Sequence, residues 1–213
     1  MTASVLKNKR ISISKEELSG LSTAHYTDGA TVIDSTEGLE EAISHLNQAR
    51  IIGFDTETRP SFRKGLSFSV SLLQLATPER CFLFRLKKLG LPLPLKEILE
   101  NTERLKVGVS LRDDFHSLER ICDLHPDGFI DLQQYVKKFG ITDNSLSRIY
   151  AILFGQRISK GQRLTNWETE TLSPAQINYA AFDAISCIHI YDYLSSGQFN
   201  PLSSPYLKDI ENP

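Results

Sequence analysis

The run Ile51-Ile52-Gly53-Phe54 is apolar without interruption and ends on two carboxylates, Asp55 and Glu57. An unbroken run of this length predicts a central strand covered on both faces. Residues two apart on a strand project from the same face, so this strand carries both acids into the protein together. Burying carboxylates is costly unless something positive pairs with them. Two further acids extend the set: Asp114 follows Val107-Gly108-Val109, and Asp183 closes the pair Tyr179-x-x-x-Asp183. Four carboxylates in one site would repel and raise each other's pKa values unless divalent cations held them together. Glu168 and Glu170 share the two-residue spacing, but they lie in a polar stretch and read as a solvated pair.

At 213 residues, with 40% hydrophobic and 23% charged residues, the composition is that of one soluble globular domain. No apolar run approaches the roughly 20 residues that span a membrane. Residues 1–10 lack the apolar segment of a secretory signal. Lys7, Lys9 and Arg10 would suit a transit peptide, but Glu16 and Glu17 argue against one, so a cytoplasmic protein is expected, with organelle or nucleus left open. Cys81, Cys122 and Cys187 have no CxxC spacing and read as reduced thiols, not a zinc site or a disulfide frame. The net charge of −2 argues at first against a nucleic-acid partner. Two divalent cations on the acids would cancel about four negative charges locally, which leaves the charge balance neutral as evidence. Basic residues gather in Arg85, Lys87 and Lys88 and again in Arg157, Lys160 and Arg163, where a solvated surface is the plain alternative.

Patterning predicts a polar arm over 1–28, one domain over 29–200 and a tail over 201–213. Within the domain, strands are expected at 30–34, 51–58, 67–76, 80–85, 105–109 and 129–130, with Thr77-Pro78-Glu79 as a hairpin turn. Helices are expected from Ser35 or Thr36 to Gln48, over 95–101, 111–121, 132–139 and 145–154, and from Ser173 onward. The last is well signalled: Ser173 as N-cap, Pro174 at the first helical position and Gln176 completing a capping box. Three antiparallel strands followed by alternating helix and strand imply an α/β fold, a mixed sheet with helices on its faces.

Tyr179 and Asp183 are four apart on that last helix and share a face. Asp114 opens a helix, where the helix dipole alone would favour an acid, and Asp113 competes with it. Asp131 ends a strand and reads as the cap of the next helix.

Phe54-Asp55-Thr56-Glu57, Val107-Gly108-Val109 with Asp114, and Tyr179-Ala180-Ala181-Phe182-Asp183 together resemble the three motifs of the DnaQ-like exonuclease superfamily, in its tyrosine-containing branch. Asn178 stands where the histidine branch would place His. Ser159-Lys160-Gly161-Gln162 and Asn166-Trp167 are similar to the ribonuclease D and Werner-syndrome exonuclease group. The resemblance spans about 32–193. It implies a ribonuclease H-like sheet and a 3′–5′ exonuclease acting on nucleic-acid 3′ ends, DNA or RNA, with release of nucleoside 5′-monophosphates. It also implies two Mg²⁺ or Mn²⁺ ions about 4 Å apart. Asp55, Glu57, Asp114 and Asp183 match the metal-binding acids, and Tyr179 matches the residue that positions water. Asp114 fits better than Asp113, because the family acid stands seven residues after the first Val of its motif.

Lys160 and Arg163 would meet the phosphate backbone. Gln74 and Leu75 are expected near the terminal base, with core packing an equal explanation of Leu75. Trp167 reads as a packing anchor before a base-stacking platform. Competing readings are a non-catalytic nucleic-acid-binding or scaffolding protein that kept the fold, and a sugar hydrolase, which needs two acids of separated pKa, not four clustered ones. Neither a helicase motor nor a C-terminal helical domain is expected. DNA or RNA preference, strandedness, oligomeric state and pathway are not legible.

Overall fold

The computed structural model describes residues 6, 8–26, 28–63, 65 and 68–210. Ser67, the expected start of one strand, and much of the expected arm before Asn8 lie outside them.

Six strands form one mixed sheet. After a short strand β1 (Lys9–Ile11) and helix α1 (Lys15–Ser19) come β2 (Ala30–Ile33), α2 (Leu39–Gln48), β3 (Ile51–Thr58), β4 (Val70–Ala76) and β5 (Cys81–Arg85). Helices α3 (Leu86–Leu89) and α4 (Leu93–Glu100), strand β6 (Leu105–Gly108), α5 (Leu111–Glu119), β7 (Phe129–Asp131) and α6 (Leu132–Tyr135) follow. A 3₁₀ turn at Val136–Phe139, α7 (Leu146–Phe154), α8 (Pro174–Ser195), a second 3₁₀ turn at Pro201–Ser203 and β8 (Leu207–Asp209) complete the described residues. The sheet order is β2-β5-β4-β3-β6-β7, antiparallel from β5 through β4 to β3 and parallel elsewhere. The expected mixed sheet is thus present. No helix among the described residues is long and apolar enough to cross a membrane.

Alternation along β3 divides the core. Ile51 faces α6, α7 and α8, whereas Ile52 and Phe54 face α2, α4 and α5. Each fully buried Leu or Ile on these faces contributes about 1.5–3 kcal/mol relative to exposure. Gly53 lies on the α8 side, where a Cβ would stand 2.1 Å from the Ala184 carbonyl oxygen. Only the absence of a side chain there lets the helix lie against the central strand.

Helix α8 begins with the expected capping box: Ser173 Oγ accepts from Gln176 N, and Gln176 Oε1 accepts from Ser173 N. Helix α2 departs from expectation. Neither Ser35 nor Thr36 caps it; it starts at Leu39 after Gly38 with no side-chain cap. The arm and the tail meet, because β1 pairs antiparallel with β8. Neither strand is long enough to announce itself by periodicity.

Candidate metal and catalytic site

Strand β3 delivers Asp55 and Glu57 to the α8 side, and Asp183 comes down from α8 one residue before the close contact at Ala184. A carboxylate oxygen from each of the three lies within 4.8 Å of the other two. Glu57 and Asp183 are buried and Asp55 is half-buried. Among the described residues, none of the three is ion-paired to Lys or Arg.

Burial and mutual repulsion therefore outweigh the opposing pull of nearby groups. Desolvation, then Asp183, Asp114 and Glu57, hold the Asp55 carboxyl well above the usual range. Glu57 is pushed up to about 9 by burial, then by Asp183 and Asp114, against the pull of Arg163. Asp183 is pushed up to about 7 by burial, although a hydrogen bond from Tyr179 and the charge of Lys160 oppose the rise. An oxygen-rich, buried and charge-unbalanced donor set of this kind fits a hard divalent cation.

Asp114 sits apart from the three. Thr56 projects to the opposite face of β3 from Asp55 and Glu57, and its hydroxyl donates to the Asp114 carboxylate at the start of α5. Burial pushes Asp114 up to about 6 against that hydrogen bond. Asp113 is exposed, so of the two neighbours Asp114 is the one turned toward β3. Asp131 anchors this corner: it caps α6 through Gln133 N at 2.8 Å and accepts from Leu111 N at 3.3 Å, at the start of α5. Sequence reading passed over Thr56, though its place between two acids that share the other face of the strand marks it as the residue aimed at α5.

Tyr179 is half-buried and hydrogen-bonded to Asp183; burial, then the charges of Asp183 and Glu57, raise its pKa far above 10. Trp167 is fully buried with its ring 6.0 Å from that of Tyr179, which makes it a packing anchor. Tyr179, Asp55 and Asp183 share a cavity of about 180 Å³ with Lys160 and Arg163, both exposed cations.

The other four basic residues of the two clusters are held by contacts within the fold. Arg85 is buried and donates to the carbonyls of Thr169 and Glu170, Lys87 pairs with Glu168 at 3.2 Å and Lys88 with Glu170 at 2.8 Å. Arg157 Nε donates to Leu21 O at 3.2 Å. Glu168 and Glu170 are accordingly ion-paired, not merely solvated.

Two expected substrate contacts are corrected. Leu75 is fully buried on the far side of the sheet, against Phe54 and the α2–α5 core, because its neighbour Gln74 occupies the α8 side. Gln74 lies opposite Asp55 in the strand register, but it too is fully buried, with both amide atoms unpartnered, and no surface of it reaches solvent. Cys187, one turn beyond Asp183, is buried and donates from Sγ to the Asp183 carbonyl at 3.4 Å; all three cysteines are free thiols.

The chain is 31% identical over 165 residues to the mouse (Mus musculus) bifunctional 3′–5′ exonuclease/ATP-dependent helicase WRN, covering 74% of this chain and 12% of that protein. It is 32% identical over 162 residues to the Drosophila melanogaster exonuclease 3′–5′ domain-containing protein 2, covering 73% and 27%. The chain thus spans well under half the length of these relatives. Among solved structures, the exonuclease domain of Aedes aegypti Nibbler superposes with a TM-score of 0.72 at 21% identity, covering 85% of this chain and 95% of that one. Escherichia coli RNase D does so with a TM-score of 0.70 at 21% identity, covering 78% and 44%. Residues 30–197, which contain every acid of the cluster, match the model of the 3′–5′ exonuclease family, and the chain belongs to that family.

Proposed function

We propose that this protein is a metal-dependent 3′–5′ exonuclease that hydrolyses the terminal phosphodiester bond of a nucleic-acid strand and releases nucleoside 5′-monophosphates. The observation that carries the reading is the convergence of Asp55, Glu57 and Asp183 within 4.8 Å, with no ion pair to a Lys or Arg among the described residues and with Tyr179 adjoining. Asp55, Glu57 and Asp183 would hold one Mg²⁺ or Mn²⁺ ion and Asp55 with Asp114 a second, which together supply Lewis-acid polarisation of the phosphate and an acidified water.

The chain's own residues do the rest. The hydroxyl of Tyr179, an ordinary phenol that burial holds above its usual range, orients a water through a hydrogen bond and does not serve as a bulk base. Trp167, packed on its ring, fixes the direction in which it points. Lys160 and Arg163, at the same cavity and without an ion pair among the described residues, meet phosphate oxygens, which positions the strand without reading its sequence. Their pull on Asp183 and Glu57 also favours the ionised, ligating form of both acids.

The test is metal-dependent release of nucleoside 5′-monophosphates from a 3′-labelled oligonucleotide, run on matched DNA and RNA. Asp55→Asn should abolish release while preserving the fold and oligonucleotide binding. Wild-type turnover in that variant would refute the assignment, and binding without cleavage by the unmutated chain would point to a non-catalytic binder.

A further inference from the structure

A second pocket of about 460 Å³ adjoins the catalytic cavity, sharing Ile158, Ser159 and Tyr179 with it. We propose that this pocket, walled by the N-terminal arm, seats a nucleoside flanking the scissile phosphate; the proposal rests on the exonuclease reading above.

Size separates the two cavities. At about 180 Å³ the catalytic cavity falls below the roughly 300–1,000 Å³ of ordinary ligand pockets, whereas the arm pocket lies within that range. Charge separates them too. Lys160 and Arg163 line the catalytic cavity, where a phosphate belongs, and among the described residues no Lys or Arg lines the arm pocket. An uncharged group is the occupant that this lining suits.

The lining also matches a base in kind. Tyr26 stacks on Phe182 with centroids 6.4 Å apart and planes 18° from parallel, which gives the pocket an aromatic side. His25, Gln162 and Asn178 border it with side chains that make no hydrogen bond among the described residues, and so are free to meet the polar edge of a base.

The arm is fixed in place. Ala24 N donates to Arg157 O and Arg157 N to Ser22 O, each at 2.9 Å, which clamps the arm to the loop that carries Ser159 and Lys160. This wall stands outside residues 30–197, the stretch matched to the family.

The test is fluorescence anisotropy with the Asp55→Asn variant and a single-stranded oligonucleotide, intact or carrying an abasic residue at the terminal or the penultimate 3′ position. An abasic residue at one of these positions should weaken binding about tenfold, the scale of a lost base stack. Adding His25→Ala and Asn178→Ala should weaken binding of the intact strand and shrink that difference. The side chains replaced are exposed, and the abasic change is on the ligand, so misfolding cannot mimic the result. Equal affinity for all three strands, or no affinity for any, overturns the proposal. Cleavage by the unmutated enzyme is scored separately: a positional abasic penalty without hydrolysis keeps the pocket and removes the exonuclease reading, and hydrolysis with no penalty does the reverse.

Discussion

Gly53 on β3 stands so close to Ala184 on α8 that a Cβ at position 53 would lie 2.1 Å from the Ala184 carbonyl oxygen. That contact sets the distance between the strand carrying Asp55 and Glu57 and the helix carrying Asp183. Gly53→Ala must push α8 outward, because backbone cannot swing aside as a side-chain tip can. A stability loss of about 1–3 kcal/mol is expected from overpacking, with Mn²⁺ affinity falling as the acids part. Thermal melting and a Mn²⁺ titration check this; unchanged values for both would mean that the strand and helix do not set the geometry of the acids.

Tyr179→Phe removes one hydroxyl and leaves the ring on Trp167, so the fold should hold. Turnover should fall by about 10²–10⁴, the range for a positioned proton-transfer or orienting group, with oligonucleotide affinity little changed. Single-turnover cleavage and binding are measured side by side. A variant that fails mainly in binding would make Tyr179 a substrate contact.

Asp114→Asn should lower the cleavage rate strongly and Asp113→Asn only slightly, since Asp114 accepts from Thr56 while Asp113 faces solvent. Cleavage assays on both variants rank them. The reverse order would place the functional acid one residue earlier.

Without metal, the acid cluster should make the protein less stable as pH rises. Glu57 goes from 4.5 to about 9 on folding and Asp183 from 3.8 to about 7. The folded state therefore holds protons that the unfolded chain has released, and this contribution, complete below about pH 4, is lost as pH climbs through 7 to 9. In chelator, the melting temperature should be lower at pH 9 than at pH 6. Mg²⁺ or Mn²⁺ should raise it more at the higher pH, where the ligands give up fewer protons on binding. A metal-induced shift that is equal at both pH values would count against a cation on these carboxylates.

Much of this molecule is local and therefore legible in the chain. The unbroken apolar run before Asp55, the two-residue spacing to Glu57 and the Ser173–Gln176 capping box depend on neighbours within a few positions, so strand, facing and helix start follow from sequence alone. Other features depend on residues brought together from far apart. Arg85, Lys87, Lys88 and Arg157 look as available as Lys160 and Arg163 until their partners are known, and those partners lie up to 136 positions away. Which way Leu75 and Gln74 face was fixed by the register of β4 on β3, a pairing between separate strands. The pairing of β1 with β8, and the arm that walls the second pocket, come from segments too short and polar to carry a period of their own. Only packing against the finished domain gives them a place, because their hydrogen bonds are made to strands and loops that the local chain does not contain.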